Sequence, residues 1–380
     1  MKIAIIGSGI SGLFSALMLK SNFGDNVNIT IFEKKNKIGG RIEVINFDGT
    51  EVISGAGIGR KDDILLYNLC KLLNVTTNTY HAEFEHTSKP INIIEVLSLL
   101  EKNLNKLNRD ENNFKEFAIS ILGKELYEKF IFSVGETDFE KADVIDTIYD
   151  YGFKNYTNEG FDAFSIKWVE LLKSFENIFK KEIKLNKNIS RIVTEKDGSF
   201  RINKQKYDRV ILAAPIDTIK KLLPRVKILK EISGQPFVRL YVKLDKPLEG
   251  IKKSFIKTEK PFQKIIVANK GKCIYQISYS DNNIANKWKQ TENIPKKVEN
   301  GIMKIFGQKV KVLKHKLIYW KIGTHYFKPL SKKFKNRDEF LELAQNPQKN
   351  IFCVGEAFSR NQGWSEGALQ SVYKILSKII

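Results

Sequence analysis

The first forty residues constrain this chain more than any other stretch. They read KIAIIGSGISGLFSALMLK, then, after a short gap, NITIFEKKNKIGGRI. Lys2 to Ile6 is an apolar run with the length of a buried parallel strand, and Gly7, Gly9 and Gly12 follow it in G-x-G-x-x-G spacing. Leu13 to Leu19 resumes the apolar pattern at helical period, and Asn28 to Phe32 is a second strand that ends in Glu33. Gly7 permits the tight turn from strand to helix. Gly9 has no Cβ and lets a pyrophosphate approach the backbone. Gly12 lets the helix pack close to the strand. The helix N-terminus offers free N–H groups and a positive dipole end to phosphates. Glu33 stands at the roughly 20-residue distance where an acid receives the hydroxyls of an adenosine ribose. Glycine turns produce a lone G-x-G-x-x-G by chance. The strand, helix and acid around this one make it a dinucleotide site.

A second loop follows at once. In Ile38-Gly39-Gly40-Arg41-Ile42 two adjacent glycines allow close backbone approach, and Arg41 supplies a bidentate phosphate donor. A second phosphate-compatible loop beside the first suits a cofactor with a large second half. Glu51 to Arg60, EVISGAGIGR, alternates small and apolar residues, a backbone against which a flat ring can lie.

At 380 residues the chain is long enough for two domains, and 42% apolar content supports a packed core. The formal charge of +21 is compatible with a polyanionic partner, including nucleic acid. The lysines are scattered, however, in a chain rich in Ile and Asn, so a compositional origin explains the charge better. Cys70, Cys273 and Cys353 are far apart and form no C-x-x-C, which argues against a disulfide framework or a zinc site. The N-terminus enters a strand directly, no signal-peptide pattern is visible, and no apolar run reaches membrane length. A cytoplasmic location is the expectation.

From about Tyr80 to Lys180 the pattern is mainly helical, with apolar periodicity over Ile91 to Leu107, Phe114 to Leu122 and Phe164 to Phe179. His81 and His86 fall on a polar loop with no ligand partner expected and read as surface residues. Ile183 to Leu185, Ser190 to Val193 and Phe200 to Ile202 read as strands of a hairpin-rich insertion. Arg209 to Ala214 is a buried strand running into Pro215. From Phe237 the pattern becomes alternating and aromatic, an antiparallel sheet interrupted by a helix over Pro295 to Phe306. Asn350 to Val354 then returns to the opening style. The fold class is α/β: a Rossmann-type dinucleotide domain with an inserted α+β substrate domain. The expected boundaries are 1–75, 181–230 and 340–380 for the first, and 76–180 and 231–339 for the second.

The chain resembles the flavin-dependent amine oxidase superfamily, which spans amine oxidases, protoporphyrinogen oxidase and carotenoid desaturases. Three motifs carry the resemblance in order: the opening stretch through GGRI, RVILAAP with its short helix, and IFCVGEAFSRNQGWSEGALQS. The resemblance implies FAD rather than NAD. It implies that Glu33 holds the adenosine ribose with Lys35 close by, and that Gly7, Gly9, Ser11, Gly12, Gly40 and Arg41 serve the pyrophosphate. Gly57 would lie near the flavin ring. Ile189 falls where a backbone group holds adenine, and Gly355 and Glu356 would meet the ribityl and phosphate portion. Trp364 and Ser365 would reach the flavin's pyrimidine end and the substrate face. Amine oxidases stand two aromatic rings over the flavin, and Trp364 and Tyr326 are the candidates here.

Two departures from the family pattern stand out. Where many members place a lysine that holds water against flavin N5, this sequence has Arg239, which stays protonated and cannot serve as a base. Lys243, at an even offset on the same strand, is a possible substitute. Where some members tether the flavin through cysteine, this sequence has His325, so non-covalent FAD is expected. The implied function is hydride removal from an amine carbon, with oxygen or another acceptor reoxidising the flavin and no metal involved. The alternatives are oxidation or desaturation of an apolar molecule, and a basic protein that keeps FAD as a structural cofactor. Polyamine chemistry predicts acids such as Glu136 or Asp138 near the flavin, whereas a polyene or sterol predicts a long apolar tunnel. A structural FAD predicts a closed flavin face.

Overall fold

A computed structural model describes residues 1–108 and 112–379. Its organising element is a five-stranded parallel sheet in the order Ile351–Cys353, Arg209–Leu212, Lys2–Ile6, Asn28–Phe32, Ile183–Lys184. The opening strand is central, as its apolar character requires of a strand covered on both faces. Its side chains alternate between two cores. Ile3 and Ile5 pack under the helices Ile10–Phe23 and Ser365–Ile379, whereas Ala4 and Ile6 face the core that holds Ile216 and Phe340. The sheet thus joins segments from the beginning, middle and end of the chain.

The second large sheet has six strands in the order Val312–Phe327, Ile232–Leu244, Ile274–Asp281, Lys264–Asn269, Phe255–Lys257, Phe84–His86. All neighbours are antiparallel except the last pair. The helix Ile294–Phe306 buries Val298 and Ile302 against its core. A bundle around Phe114, Phe130, Phe139 and Phe153 flanks it. The long helical stretch Phe114–Val134 is broken at Gly123, whose φ of 73° is outside the helical region.

Several segments differ from the sequence expectation: Thr77–Ala82 and Phe84–His86 are strands, and a second helix, Asn282–Lys289, interrupts the antiparallel sheet. Phe161–Ile166 is a strand and the helix begins only at Trp168, because Ala163, Phe164 and Ile166 are buried along a strand that pairs with Thr77–Ala82. The apolar residues there fit either period, and pairing decided between them. Ile183–Lys184 is not part of a hairpin. It extends the parallel sheet beside Ile31 and Phe32. Val193–Thr194, Phe200–Ile202 and Gln205–Tyr207 do form a small antiparallel sheet.

Candidate active site

One cavity of about 790 Å³ lies between the two large sheets. Gly7, Gly9, Ser11, Glu33, Lys35, Gly40, Arg41, Gly57, Ile189, Arg239, Gly355, Glu356, Trp364 and Ser365 all line it. Gly12 lies beneath that lining. A Cβ there would stand 2.0 Å from the Gly7 carbonyl oxygen, so its task is close packing of helix on strand. Gly9 is the opposite case: a Cβ would meet nothing within 4 Å, leaving open space on the cavity side. Gly40, with φ +62°, comes within 3.1 Å of Gly9 when a Cβ is built on it, so the two glycine loops abut. The first turns of both helices, at Ile10–Ser11 and at Ser365, border the same cavity. This backbone cradle, open at Gly9 and walled by helix N-termini, fits a dinucleotide pyrophosphate.

Local hydrogen bonds fix the polar groups of the cradle. Glu33 accepts from the Ser8 N–H at 3.0 Å, the Ser8 hydroxyl at 2.8 Å and the Lys35 N–H at 2.9 Å. Its carboxylate is therefore held at the end of the second strand. Glu356 is buried and accepts from Arg41 Nη1 at 2.6 Å, from His325 Nδ1 and from the Gly363 N–H at 2.9 Å. Burial alone would raise the Glu356 carboxyl, but His325, Arg41 and the Gly363 N–H outweigh it and hold the group well below the usual range. Arg41 Nη1 also donates to the Gly323 carbonyl at 2.7 Å. His325 Nε2 accepts from the Ile216 N–H at 3.2 Å, which leaves Nδ1 to carry the proton toward Glu356. Both ring nitrogens are thus engaged by the protein.

The opposite wall comes from the six-stranded sheet and the loop after Val134. Arg239 lies 5% exposed, donating to the Gln276 side chain at 2.8 Å and to the Gly55 carbonyl at 2.6 Å. Its guanidinium carbon is 4.8 Å from the Tyr279 ring centroid, and Nε has no protein partner. Lys243 does not join it. Four residues further along the strand, Lys243 pairs with Asp48 at 2.6 Å. Trp364 has Arg60 stacked 3.9 Å from its ring centroid, and Asp63 holds Arg60 in turn at 2.7 Å.

Tyr326 is not in this cavity. It borders a second, small cavity. Beside it, Gln235 donates to the Asp138 carbonyl at 2.5 Å and to the Thr324 hydroxyl at 3.0 Å. As an aromatic partner for Trp364, Tyr326 is therefore displaced; Tyr279 and Phe237 are rings that line the large cavity.

The cavity also holds a set of buried charges. Glu136, Asp138 and Asp281 line it together with Lys264, which forms an ion pair with Glu136. Burial and the neighbouring Glu136 push Asp138 up to about 7. Burial, then Asp138 and Glu136, raises Asp281 well above its ordinary value, although it accepts from Thr137 N–H at 3.2 Å. Next to them Lys257 is fully buried, and its ammonium donates to the Ser133 and Tyr156 carbonyls at 2.6 Å each. Burial, aided by Lys264, brings it down to about 7. Sequence reading missed Lys264 and Asp281. Each sits at the end of a strand pattern, where a charge reads as a solvated flank. His81 does have an acidic partner, Asp162 at 2.8 Å, reached across strand pairing rather than along the sequence.

Comparison with known proteins agrees with this geometry. The sequence pattern of flavin containing amine oxidoreductases matches residues 168–373, and that of the NAD(P)-binding Rossmann-like domain matches residues 5–62. The chain belongs to the flavin containing amine oxidoreductase family. It is accordingly a flavin-dependent oxidoreductase. A solved structure of putrescine oxidase bound to putrescine superposes with a TM-score of 0.77 at 14% identity, covering 100% of this chain and 99% of that one. Prenylcysteine oxidase 1 of Bos taurus is 46% identical over 57 residues, 15% of this chain. A 4,4'-diapophytoene desaturase of Staphylococcus aureus is 36% identical over 72 residues, 18% of this chain. These curated matches span only 11% and 14% of the relatives' own length. Among the described residues, no helix is long and apolar enough to cross a membrane.

Proposed function

We propose that this family member binds FAD non-covalently and oxidises a C–N bond of an amine. The observation that carries the reading is the convergence of Glu136, Asp138 and Asp281 on the cavity that also holds the glycine cradle. Glu136 is paired with Lys264, and the carboxyls of Asp138 and Asp281 beside it offer acceptor oxygens to an ammonium group. Segments 1–75, 181–230 and 340–380 hold the cofactor in this reading, and the remainder takes the substrate. Bound FAD supplies a hydride acceptor. Gly55 to Gly57 would provide the bed for its ring, and the Ser365 helix N-terminus would lie toward its pyrimidine end. Glu356 keeps Arg41 aimed at the phosphates. His325, engaged at both nitrogens, has no free position for a covalent link, which supports the non-covalent assignment.

Arg239 stands beside the ring bed as a permanent cation. A Cβ on Gly57 would lie 3.3 Å from its Nη2. It favours negative charge on whatever lies there but cannot exchange protons near neutral pH. The expected consequence is slow reoxidation by oxygen, with Arg239→Lys accelerating peroxide formation from reduced enzyme. An unchanged oxygen step would remove Arg239 from this role.

The reading as a whole is tested by anaerobic mixing of the yellow protein with mono-, di- and polyamines. Bleaching of the flavin is expected. A flavin that photoreduces normally yet is bleached by no amine would sink the amine assignment. One observation favours a second reading. Phe84, Phe161, Phe255 and Ile266 form an apolar wall of the same cavity, which suits an apolar substrate or the apolar tail of an amine. Bleaching by apolar substrates alone would select that alternative.

A further inference from the structure

Asp138 is placed where two cavities meet. It lines the large cavity together with Glu136 and Asp281, and it also lines the small one together with Tyr326, Asp146, Asp150 and Arg360. The small cavity, of about 50 Å³, has room for one or two water molecules. Its far end reaches the surface, where the Asp150 and Arg360 side chains are 27% and 34% exposed. Asp138 Oδ1 accepts from the Tyr151 hydroxyl at 2.5 Å, and Gln235 pins the Asp138 backbone carbonyl at the same distance. The carboxyl is thus held at one spot with the large cavity on one side and a polar, solvent-reaching pocket on the other.

An amine cannot give up hydride while it is an ammonium, because no lone pair is available to the developing C=N bond. A proton must first leave nitrogen. Resting on the amine reading above, we propose that Asp138 is the base that takes this proton, and that the small cavity past Tyr326 and Asp146 is the route by which it leaves. In the step, R–CH2–NH3⁺ and the Asp138 carboxylate become R–CH2–NH2 and the Asp138 carboxylic acid. Bound FAD would supply the acceptor for the hydride, an electron pair and a proton leaving carbon together, so that the iminium remains. Asp138 returns its proton through the small cavity to Asp146, Asp150 and bulk water.

The surroundings suit a base that works near neutrality. Burial and the neighbouring Glu136 oppose a further negative charge on Asp138, and Lys264 partly offsets them. The phenols facing the carboxyl, Tyr151, Tyr156 and Tyr279, are all raised by burial first and stay protonated. On the small-cavity side, His325 is committed to Glu356 and Ile216, and Arg360 to Asp150 and Asp338. Asp146, raised to about 7 by burial against the pull of Arg337, matches Asp138 as a proton acceptor.

Anaerobic stopped-flow reduction of the FAD-loaded protein across pH 6–10 tests this, using a series of amines of different basicity. In the wild type the rate should rise through one ionisation near neutrality that is the same for every amine. Asp138→Asn should abolish that ionisation and slow reduction at pH 7 by about 100-fold or more. Its rate should recover as pH approaches the amine's own pKa. Ala142→Leu, which fills the small cavity without removing a charge, should slow reduction several-fold and raise the solvent isotope effect. A wild-type profile that tracks each amine's own pKa overturns the proposal, and needs no variant to fold. So does an unchanged profile in Asp138→Asn. A wild-type flavin that no amine reduces at any pH is a different result, and removes the amine reading itself.

Discussion

The parallel sheet and the antiparallel sheet face the same cavity with different chemistry. The parallel side offers backbone: glycines, loop N–H groups and two helix N-termini. The antiparallel side offers side chains: Arg239, Tyr279 and Asp281, with Lys264 beside them. A diphosphate is the same in every cofactor molecule, so fixed backbone geometry recognises it. In the proposed reading a substrate meets ionisable side chains, of which Lys264 and Glu136 are a buried pair. The two sides should therefore fail in different ways when they are altered.

The largest effect is expected on the parallel side. Gly12→Ala drives a methyl group into the Gly7 carbonyl, 2.0 Å away, and should cost about 3 kcal/mol or more by chemical denaturation. Gly9→Ala adds the same methyl to open space. It should leave the apoprotein's stability unchanged while FAD retention falls by at least tenfold on gel filtration. Equal stability losses in the two variants would end the distinction between packing glycine and cradle glycine. On the antiparallel side, Glu136→Ala strands Lys264. We expect a loss of about 3 kcal/mol, at the low end for a broken buried pair because Lys264 borders the cavity. No loss in urea titration would mean that the lysine is already solvated there.

The next effect depends on pH. Lys257 is brought from 10.5 down to about 7 in the folded chain. Between these values the unfolded chain binds the extra proton and the native chain does not, so stability rises with pH through that window. It is flat below about 7, where both forms carry the proton. Relative to Lys257→Met, the wild type should gain up to about 1.4 kcal/mol per pH unit between 7 and 10.5. Parallel stability curves would mean that the buried lysine keeps its proton throughout that window, as it does in the unfolded chain. The smallest effect is expected from Tyr326→Phe, which touches only the small cavity. Flavin reduction should change less than about threefold. A large loss at every pH, with no change in the solvent isotope effect, would return Tyr326 to the substrate face.

The same contrast explains what could be read from the sequence. The cofactor side was legible because its constraints are local: glycines at fixed offsets, an acid at the end of a strand, a helix start. Thus Gly7, Gly9, Glu33, Gly40, Arg41 and Gly355 share a cavity, as their motifs suggested. The substrate side was not legible because its constraints are set by strand pairing. Lys264 meets Glu136 only after two elements far apart in sequence have packed together. Lys243 looked equivalent to Arg239 by alternation, but the Val44–Phe47 and Thr50–Ile53 hairpin brings Asp48 to it and takes it out of play. The Phe161–Ile166 strand was hidden for the same reason. Its partner, Thr77–Ala82, lies on the other side of a helical region.

The carboxylate of Glu356 binds Arg41 across 315 positions of sequence, and His325 and Gly363 complete the knot. This has a consequence for biosynthesis. While the chain is being made, the ribosome exposes the glycine cradle first and its counterpart only 315 positions later. A nascent chain therefore carries half a cofactor site until Glu356 has emerged, and FAD can act as a template only from then on. Supply of the vitamin should thus govern how much finished protein survives, not how quickly it is made.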